Sequence, residues 1–136
     1  MKVELELLDD MVFTRLVEYV EENLLDPILD DENFTMLDKV DSDTSLFPCI
    51  YLNNIVATET AYDLEREAIN GGLFTYQVRV ISNESRNENK KIMRAVANAM
   101  KSMGFRATSL PLSYSNNNLY VSYSRWQREI DEGDEI

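Results

Sequence analysis

The stretch LFTYQVRVIS, residues 73–82, constrains the fold of this chain more than any other segment. Its side chains alternate between apolar and polar or charged types over nearly the whole stretch. One side would carry Phe74, Tyr76, Val78 and Val80, and the other Thr75, Gln77 and Arg79. Successive side chains of a β-strand point to opposite faces of the sheet. The pattern therefore predicts a strand with one face against a hydrophobic core.

The stretch NKKIMRAVANAMKSMGF, residues 89–105, has the spacing of an amphipathic helix. Apolar residues recur three or four positions apart, as expected for a helix with one buried face. They are Ile92, Val96, Ala99, Met100 and Met103. The polar stretch SNESRNEN before it can supply a helix cap, and Gly104 is a suitable C-terminal stop. Four bases lie away from the apolar side: Lys90, Lys91, Arg94 and Lys101.

A second amphipathic helix is predicted near the N-terminus, over residues 9–25. Asp9 or Asp10 can cap its first turn, where acidic side chains also suit the helix dipole. Asp26-Pro27 is expected to end the helix, because the residue before a proline disfavours helical geometry.

The remaining elements are predicted to be strands. FPCIYLNNIV should form one, with Pro48 at its start, and FRATSLPLSYS and NLYVSYSRW should form a hairpin around Asn116-Asn117-Asn118. Residues 59–72 fit two structures, a helix stopped by Gly71-Gly72 or a long hairpin loop. We expect a single α+β domain over residues 1–130, with a mostly antiparallel sheet, an N-terminal helix and a second helix packed on it. An acidic tail, 131–136, follows.

The last predicted strand carries apolar or aromatic groups on both of its faces. Tyr120, Ser122, Ser124 and Trp126 share one face, and Leu119, Val121 and Tyr123 the other. Such a strand either lies in the centre of the sheet, covered on both sides, or buries one face in a partner. Tyrosine and tryptophan are also favoured at protein interfaces.

Composition argues against several classes of protein. The chain has no histidine, which removes the Ser-His-Asp and Cys-His types of catalysis and the usual zinc sites. Cys49 is the single cysteine and lies in an apolar strand pattern, so an inert thiol in a reducing compartment is expected. Neither a membrane-spanning segment nor a signal peptide is evident. We therefore expect no enzyme activity and no cofactor.

Two acidic clusters, Asp30-Asp31-Glu32 and Asp41-x-Asp43, have the ligand chemistry of a Mg²⁺ or Ca²⁺ site. An EF-hand loop counted from Asp41 would need glycine at its sixth position and glutamate at its twelfth, where this chain has Leu46 and Leu52. The pattern fails, so solvated acidic loops are expected and no metal is predicted.

The charge is distributed unevenly along the chain. The formal net charge of -12 consists of -14 in residues 1–67, +6 in residues 68–130 and -4 in the last six residues. Such a net charge disfavours binding to nucleic acid, in spite of the basic helix. The helix bases either form a solvated surface or face the acidic half of a neighbouring copy, in a head-to-tail contact that can close into a ring.

The order of these elements resembles that of the tail terminators, the tail-completion or head–tail joining proteins of long-tailed bacteriophages. The resemblance rests on the N-terminal helix, the strand FPCIYLNNI after Pro48, a variable excursion, the strand LFTYQVRVIS, the helix NKKIMRAVANAMKSMGF and a closing hairpin ending YSRWQREI. It covers most of the chain and is a pattern of elements, without a signature motif.

The resemblance implies a structural virion protein assembled in the bacterial cytoplasm. Members form a hexameric ring on the last ring of the tail tube, end tube growth and present a surface to the head connector, and DNA passes through the lumen without being bound. By this resemblance the excursion over residues 55–72 reaches a neighbouring ring, with Tyr62, Leu64 and Arg66 in contact. Arg79, Lys91 and Arg94 would pair with acids of an adjacent subunit.

Three alternatives remain from the sequence, the third of them a carboxylate-dependent metal hydrolase. Another head–tail connector component, such as a stopper or head-completion protein, would also form a ring. From a different class, an acidic inhibitor that mimics DNA would carry its acids on one exposed surface of a monomer.

Overall fold

A computed structural model describes residues 1–36, 47–62, 69–116 and 118–136. In these ranges the chain forms two α-helices and a five-stranded sheet, which confirms the predicted α+β class. The helices are α1, Leu8–Asn23, and α2, Arg86–Ser102. The strands are β1 (Phe34–Thr35), β2 (Cys49–Tyr62), β3 (Ile69–Ser82), β4 (Arg106–Asn116) and β5 (Leu119–Asp131).

The strands lie in the order β1-β2-β3-β5-β4. Three of the four pairings are antiparallel, and the short β1 pairs in parallel with β2. The sheet is therefore mostly antiparallel, as predicted. Strand β5 lies between β3 and β4, so the strand with apolar groups on both faces is central in the sheet.

Both helices pack on one face of the sheet, which we call the helix face. On β3 this face carries the residues predicted from the alternation, and Tyr76, Val78 and Val80 are fully buried. On β5 it carries Trp126 and Ser124, also buried. We call the opposite side of the sheet the second face.

Helix α1 begins and ends one or two residues earlier than predicted, and its cap differs from the prediction. Leu7 occupies the N-cap position and makes no side-chain cap hydrogen bond, while Asp9 and Asp10 lie within the first turn. The cap prediction was wrong because Asp9 has a tertiary role: its Oδ1 accepts hydrogen bonds from Tyr76 Oη and Asn54 Nδ2. This carboxylate joins α1 to β2 and β3.

Helix α2 begins at Arg86, three residues before the predicted start. Ser85 is the N-cap and its side chain accepts a hydrogen bond from the Glu88 amide, 3.1 Å away. The five apolar residues predicted for the buried side are all buried. After the helix Gly104 adopts φ +83°, as expected of a glycine that stops a helix.

Residues 59–62 and 69–72 belong to the antiparallel strands β2 and β3, so of the two predicted structures the helix is wrong at both ends, and the described residues agree with a hairpin. Gly71 pairs with Asp131 of β5. A Cβ atom on Gly71 would lie 1.9 Å from Asp131 Oδ1 and 3.2 Å from the Ile130 carbonyl, so a larger residue here would have to displace the Asp131 side chain of β5. The prediction failed because a glycine pair near the end of a possible helix resembles a C-cap in sequence. Residues 63–68 lie outside the described ranges.

The acidic segment after Ile130 pairs with the N-terminus. The Val3 amide donates to the Asp134 carbonyl at 2.7 Å, and the Met1 ammonium group bonds Glu135 Oε2 at 2.8 Å. This hydrogen bond and charge lower the pKa of the Glu135 carboxyl. The two chain ends therefore close one side of the core, where Ile136 is buried.

Candidate assembly surface

The two helices lie side by side on the sheet and differ in charge. Helix α1 has five acidic residues and one basic residue, whereas α2 has five basic residues and a single acid, Glu88. In the described residues an ion pair joins Lys91 Nζ of α2 to Asp26 Oδ2, just after α1, at 3.9 Å. The helix layer therefore has an acidic part and a basic part.

The acidic part lies toward the β1 side of the sheet and the basic part toward β4. Helix α1 bonds β2 and β3 through Asp9. Helix α2 contacts β3, β5 and β4. Because β1 and β4 are the two ends of the strand order, the opposite charges of the helix layer are directed toward opposite edges of the sheet.

The chain between α1 and β1, residues 24–33, continues the acidic part, and we call it the acidic connector. Leu29 is buried in the core, and Asp30 Oδ1 accepts a hydrogen bond from the Glu32 amide at 2.9 Å. Leu25 and Ile28 are 79% and 87% exposed, the highest exposures among the large apolar side chains that the structure describes. The connector thus presents two apolar side chains among carboxylates.

The sequence patterns did not identify Leu25 and Ile28. They belong to two apolar pairs, Leu24-Leu25 and Ile28-Leu29, and the other member of each pair contributes to the core. The two apolar pairs were the only signal in the sequence for these exposed residues. When one member of each pair packs on the core, a short connector leaves the other member exposed.

Repulsion between carboxylates is evident where the connector meets α1. A hydrogen bond that the protonated Glu21 carboxyl can donate to the Asp31 carboxylate, together with slight desolvation and the nearby charges of Asp31, Asp30 and Glu18, raises the pKa of the Glu21 carboxyl. Carboxylates that share a site favour protonation of one member. A cation from another molecule would relieve this repulsion.

At the opposite edge, a groove of about 350 Å³ lies between α2 and β4. Lys90 and Arg94 line it from the exposed side of α2, and Met93 and Ala97 provide its apolar floor. Pro111 and Ser113, both exposed, form the β4 wall. The groove therefore combines apolar lining with two cations.

Strand β4 is poorly suited to pair with a strand of another chain. Pro111 has no backbone N–H to donate, and the register with β5 shifts between Ala107 and Ser109 and again between Ser109 and Leu112. Proline and irregular register are features by which edge strands avoid pairing with other strands. A partner at this edge would therefore be bound through side chains.

Buried hydrogen bonds fix the position of α2 on the sheet. Asn89 Nδ2 donates to the carbonyls of Tyr120 at 2.8 Å and Val80 at 3.1 Å, and to Ser82 Oγ at 3.2 Å. Asn89 Oδ1 accepts from the Ser122 hydroxyl. One side chain thus connects the first turns of α2 to β3 and β5 and holds the exposed bases in place.

Tyr76 is the corresponding anchor beneath α1. Its ring is fully buried and packs edge-on against Phe105, with ring centroids 5.6 Å apart. Burial, followed by the hydrogen bond to Asp9, raises the pKa of the phenol far above its ordinary value of 10.0. Tyr76 therefore stays neutral and continues to donate to Asp9.

The predicted contact residues that the structure describes do not form one surface. Lys91 and Arg94 are exposed on α2. Arg79 lies on the second face, where its guanidinium is 5.2 Å from the centre of the Tyr51 ring. Tyr62 is the last residue of β2, whereas Leu64 and Arg66 lie outside the described ranges.

The second face also has exposed apolar groups. Leu112 and Tyr114, on β4, are 52% and 50% exposed. They pair with Tyr123 and Val121 of β5, and these residues lie on the same face. Val121 is buried on this face, so the apolar side chains predicted for this side of β5 lie on the second face of the sheet.

The acidic groups do not gather into a metal site within the ranges described, where no group of three or more His, Cys, Asp or Glu side chains could hold a metal ion. Asp41 and Asp43, from the second candidate cluster, fall outside those ranges. Among the helices of the same ranges, none is long and apolar enough to cross a membrane.

Neither a scan against protein-family models nor a search of curated proteins finds a match to this chain.

Proposed function

We propose that this chain is a structural virion protein that assembles into a ring at the head-proximal end of a phage tail tube, ends tube polymerisation and joins the tail to the head connector. The observation that carries the proposal is the placement of opposite charges at opposite edges of the sheet: α1 and the acidic connector toward β1, and α2 toward β4. Copies placed side by side bring an acidic edge against a basic edge.

Such a contact is heterologous, because one edge of a subunit meets a different edge of the next. Heterologous contacts generate a ring when the rotation closes and a filament when it does not. A hexameric ring follows from the resemblance to tail terminators and is part of the proposal. Its partners are further copies of the chain, the tail tube protein and the connector, and DNA passes through the lumen without specific binding.

The β2–β3 hairpin supports the contact with a neighbouring ring. Both strands have fourteen residues, and the last pair, Tyr62 with Ile69, lies beyond the point where β5 ends its pairing at Gly71–Asp131. The end of the β2–β3 hairpin thus extends past the end of β5. Tyr62, Leu64 and Arg66 remain the proposed contacts with the tube or connector, and Arg79, Lys91 and Arg94 the proposed contacts between subunits.

Native mass spectrometry of the full chain, over a range of protein concentration and salt, tests the proposal. We expect a ring-sized oligomer that dissociates as ionic strength rises, because ions screen exposed charges beyond about 8 Å at physiological salt. Association that is unchanged or strengthened by salt would remove the electrostatic contact from the proposal. A strict monomer both in solution and on purified tail tubes would contradict ring formation.

A monomer that competes with DNA for a nucleic-acid-binding protein would instead support the acidic inhibitor. The exposed acids of α1 and the acidic connector lie close together, as that function requires. Competition between this chain and a DNA duplex for such a protein therefore distinguishes the acidic inhibitor from the ring-forming structural protein.

A further inference from the structure

We infer that the acidic connector of one copy docks into the α2–β4 groove of the next copy, with Ile28 and Leu25 as the apolar contacts. This inference rests on the proposed ring and names the surfaces that would form it. It commits to a second copy of this chain as the occupant of the groove.

The first argument is charge complementarity. The groove carries Lys90 and Arg94 on its rim. The connector carries Asp30, Asp31 and Glu32, all exposed, whereas its Asp26 lies 3.9 Å from Lys91 of the same chain. Opposite charges at a contact steer association and fix its register. The connector also has the carboxylate repulsion that raises the pKa of Glu21, and a cation from a neighbour would lower that repulsion.

The second argument is apolar fit. Ile28 is 87% exposed and Leu25 is 79% exposed. Their neighbours Leu29 and Leu24 pack in or against the core instead. The groove offers Met93, Ala97 and Pro111 as apolar lining. Its volume of about 350 Å³ is enough for one or two aliphatic side chains. Burying those side chains removes apolar surface from water, which favours the contact.

The third argument is direction. The connector leads into β1 and the groove is walled by β4, and these strands are the two ends of the sheet. The end of the connector that leads into β1 therefore lies toward one edge while the groove of the same copy stays available at the other, and Asp26 at the start of the connector lies 3.9 Å from Lys91 of its own α2. Because Pro111 interrupts backbone pairing along β4, the contact would be made by side chains, which matches the exposed Leu25 and Ile28.

Disulfide trapping between two single-cysteine chains tests the docking. In a Cys49→Ala background, one full chain carries Ile28→Cys and the other, with a different tag, carries Ser113→Cys, in the groove wall. Mixed under mild oxidation, they should form a disulfide between the two tags, because bonding requires Cα atoms within about 7 Å. Leu112→Cys is the matched control: it is adjacent on β4 but lies on the second face, and should give no product with Ile28→Cys.

Native mass spectrometry of Ile28→Ser and Leu112→Ser chains gives a second measurement that does not depend on oxidation. Both changes replace an exposed aliphatic side chain, so both chains should fold. We expect Ile28→Ser to raise the dissociation constant of the assembly about tenfold or more, through loss of apolar contact, and Leu112→Ser to leave it nearly unchanged.

The outcomes separate this inference from the proposed ring. A ring that forms normally, with no Ile28–Ser113 disulfide and no effect of Ile28→Ser, overturns the docking and leaves the ring. Disulfides between two Ile28→Cys chains, or dissociation by Leu112→Ser alone, also overturn it and point to a symmetric contact or to the second face. Absence of both assembly and disulfide overturns both proposals.

Discussion

At the scale of single residues, Asn89 shows how a polar side chain can be part of the core. It lies on the buried side of α2 at 2% exposure, and each of its hydrogen bonds goes to β3 or β5. A buried amide is tolerated only when its donors and acceptor are paired. The amide therefore specifies how the helix and sheet are aligned, and aliphatic neighbours such as Ile92 supply the burial.

Replacing Asn89 with alanine should destabilise the protein by about 2–3 kcal/mol, because it leaves buried groups of Tyr120 and Ser122 without their partner. Asn98→Ala is the matched control, since Asn98 is exposed on the same helix and should cost less than about 0.5 kcal/mol. Urea unfolding of both variants measures the difference. Equal losses would show that the buried network adds nothing to stability.

At the scale of elements, the end of α2 depends on a glycine and an arginine together. Gly104 has φ +83°, and Arg128 of β5 donates from Nη1 to the carbonyl of Met103, just before it. The same nitrogen donates to the Glu135 carbonyl at 3.0 Å. Arg128 thus joins the helix end, the sheet and the C-terminal segment, and a Cβ atom on Gly104 would lie 3.2 Å from its guanidinium.

Gly104→Ala should therefore cost about 2 kcal/mol, part from the left-handed backbone and part from displacing Arg128. Gly133→Ala isolates the backbone cost, because Gly133 has φ +85° and nothing within 4 Å of an added Cβ. That variant should lose only about 1 kcal/mol. Thermal or urea unfolding compares the two, and equal losses would mean that Arg128 adjusts without cost.

At the scale of the whole molecule, the helix layer separates charge across the sheet, and its basic part is small. The net charge of -12 opposes association of copies at long range. A contact between copies must therefore bring the few bases of α2 against acids at short range. Arg94 is the base best placed for this, because it borders both the α2–β4 groove and the space between α1 and α2.

Arg94→Glu should weaken assembly about tenfold, since it replaces attraction by repulsion at a contact between copies. Arg106→Glu makes the same change in net charge at an exposed position at the start of β4, and should have little effect. Native mass spectrometry at low salt, with circular dichroism to verify folding, measures both. Intact assembly of the Arg94→Glu chain would remove Arg94 from the interface.

The sequence by itself determined the elements whose information is local. Alternation over residues 73–82 predicted β3 and its buried face. The spacing of Ile92, Val96 and Ala99 predicted the buried face of α2. The positive φ of Gly104 as a helix stop is equally local, because it concerns the backbone of one residue, whereas the contact with Arg128 is not. Lys91 and Arg94 could also be assigned to the exposed side of α2 from periodicity alone.

The tertiary structure decided what depends on residues distant in sequence. Asp9 bonds Tyr76 across 67 positions, which no cap pattern could indicate, and Gly71 lies against Asp131 of another strand. The connector and the groove acquire opposite positions only through the strand order β1-β2-β3-β5-β4. The physical reason is the same in each case: periodicity fixes which side of an element is apolar, whereas long-range packing fixes which other element that side meets.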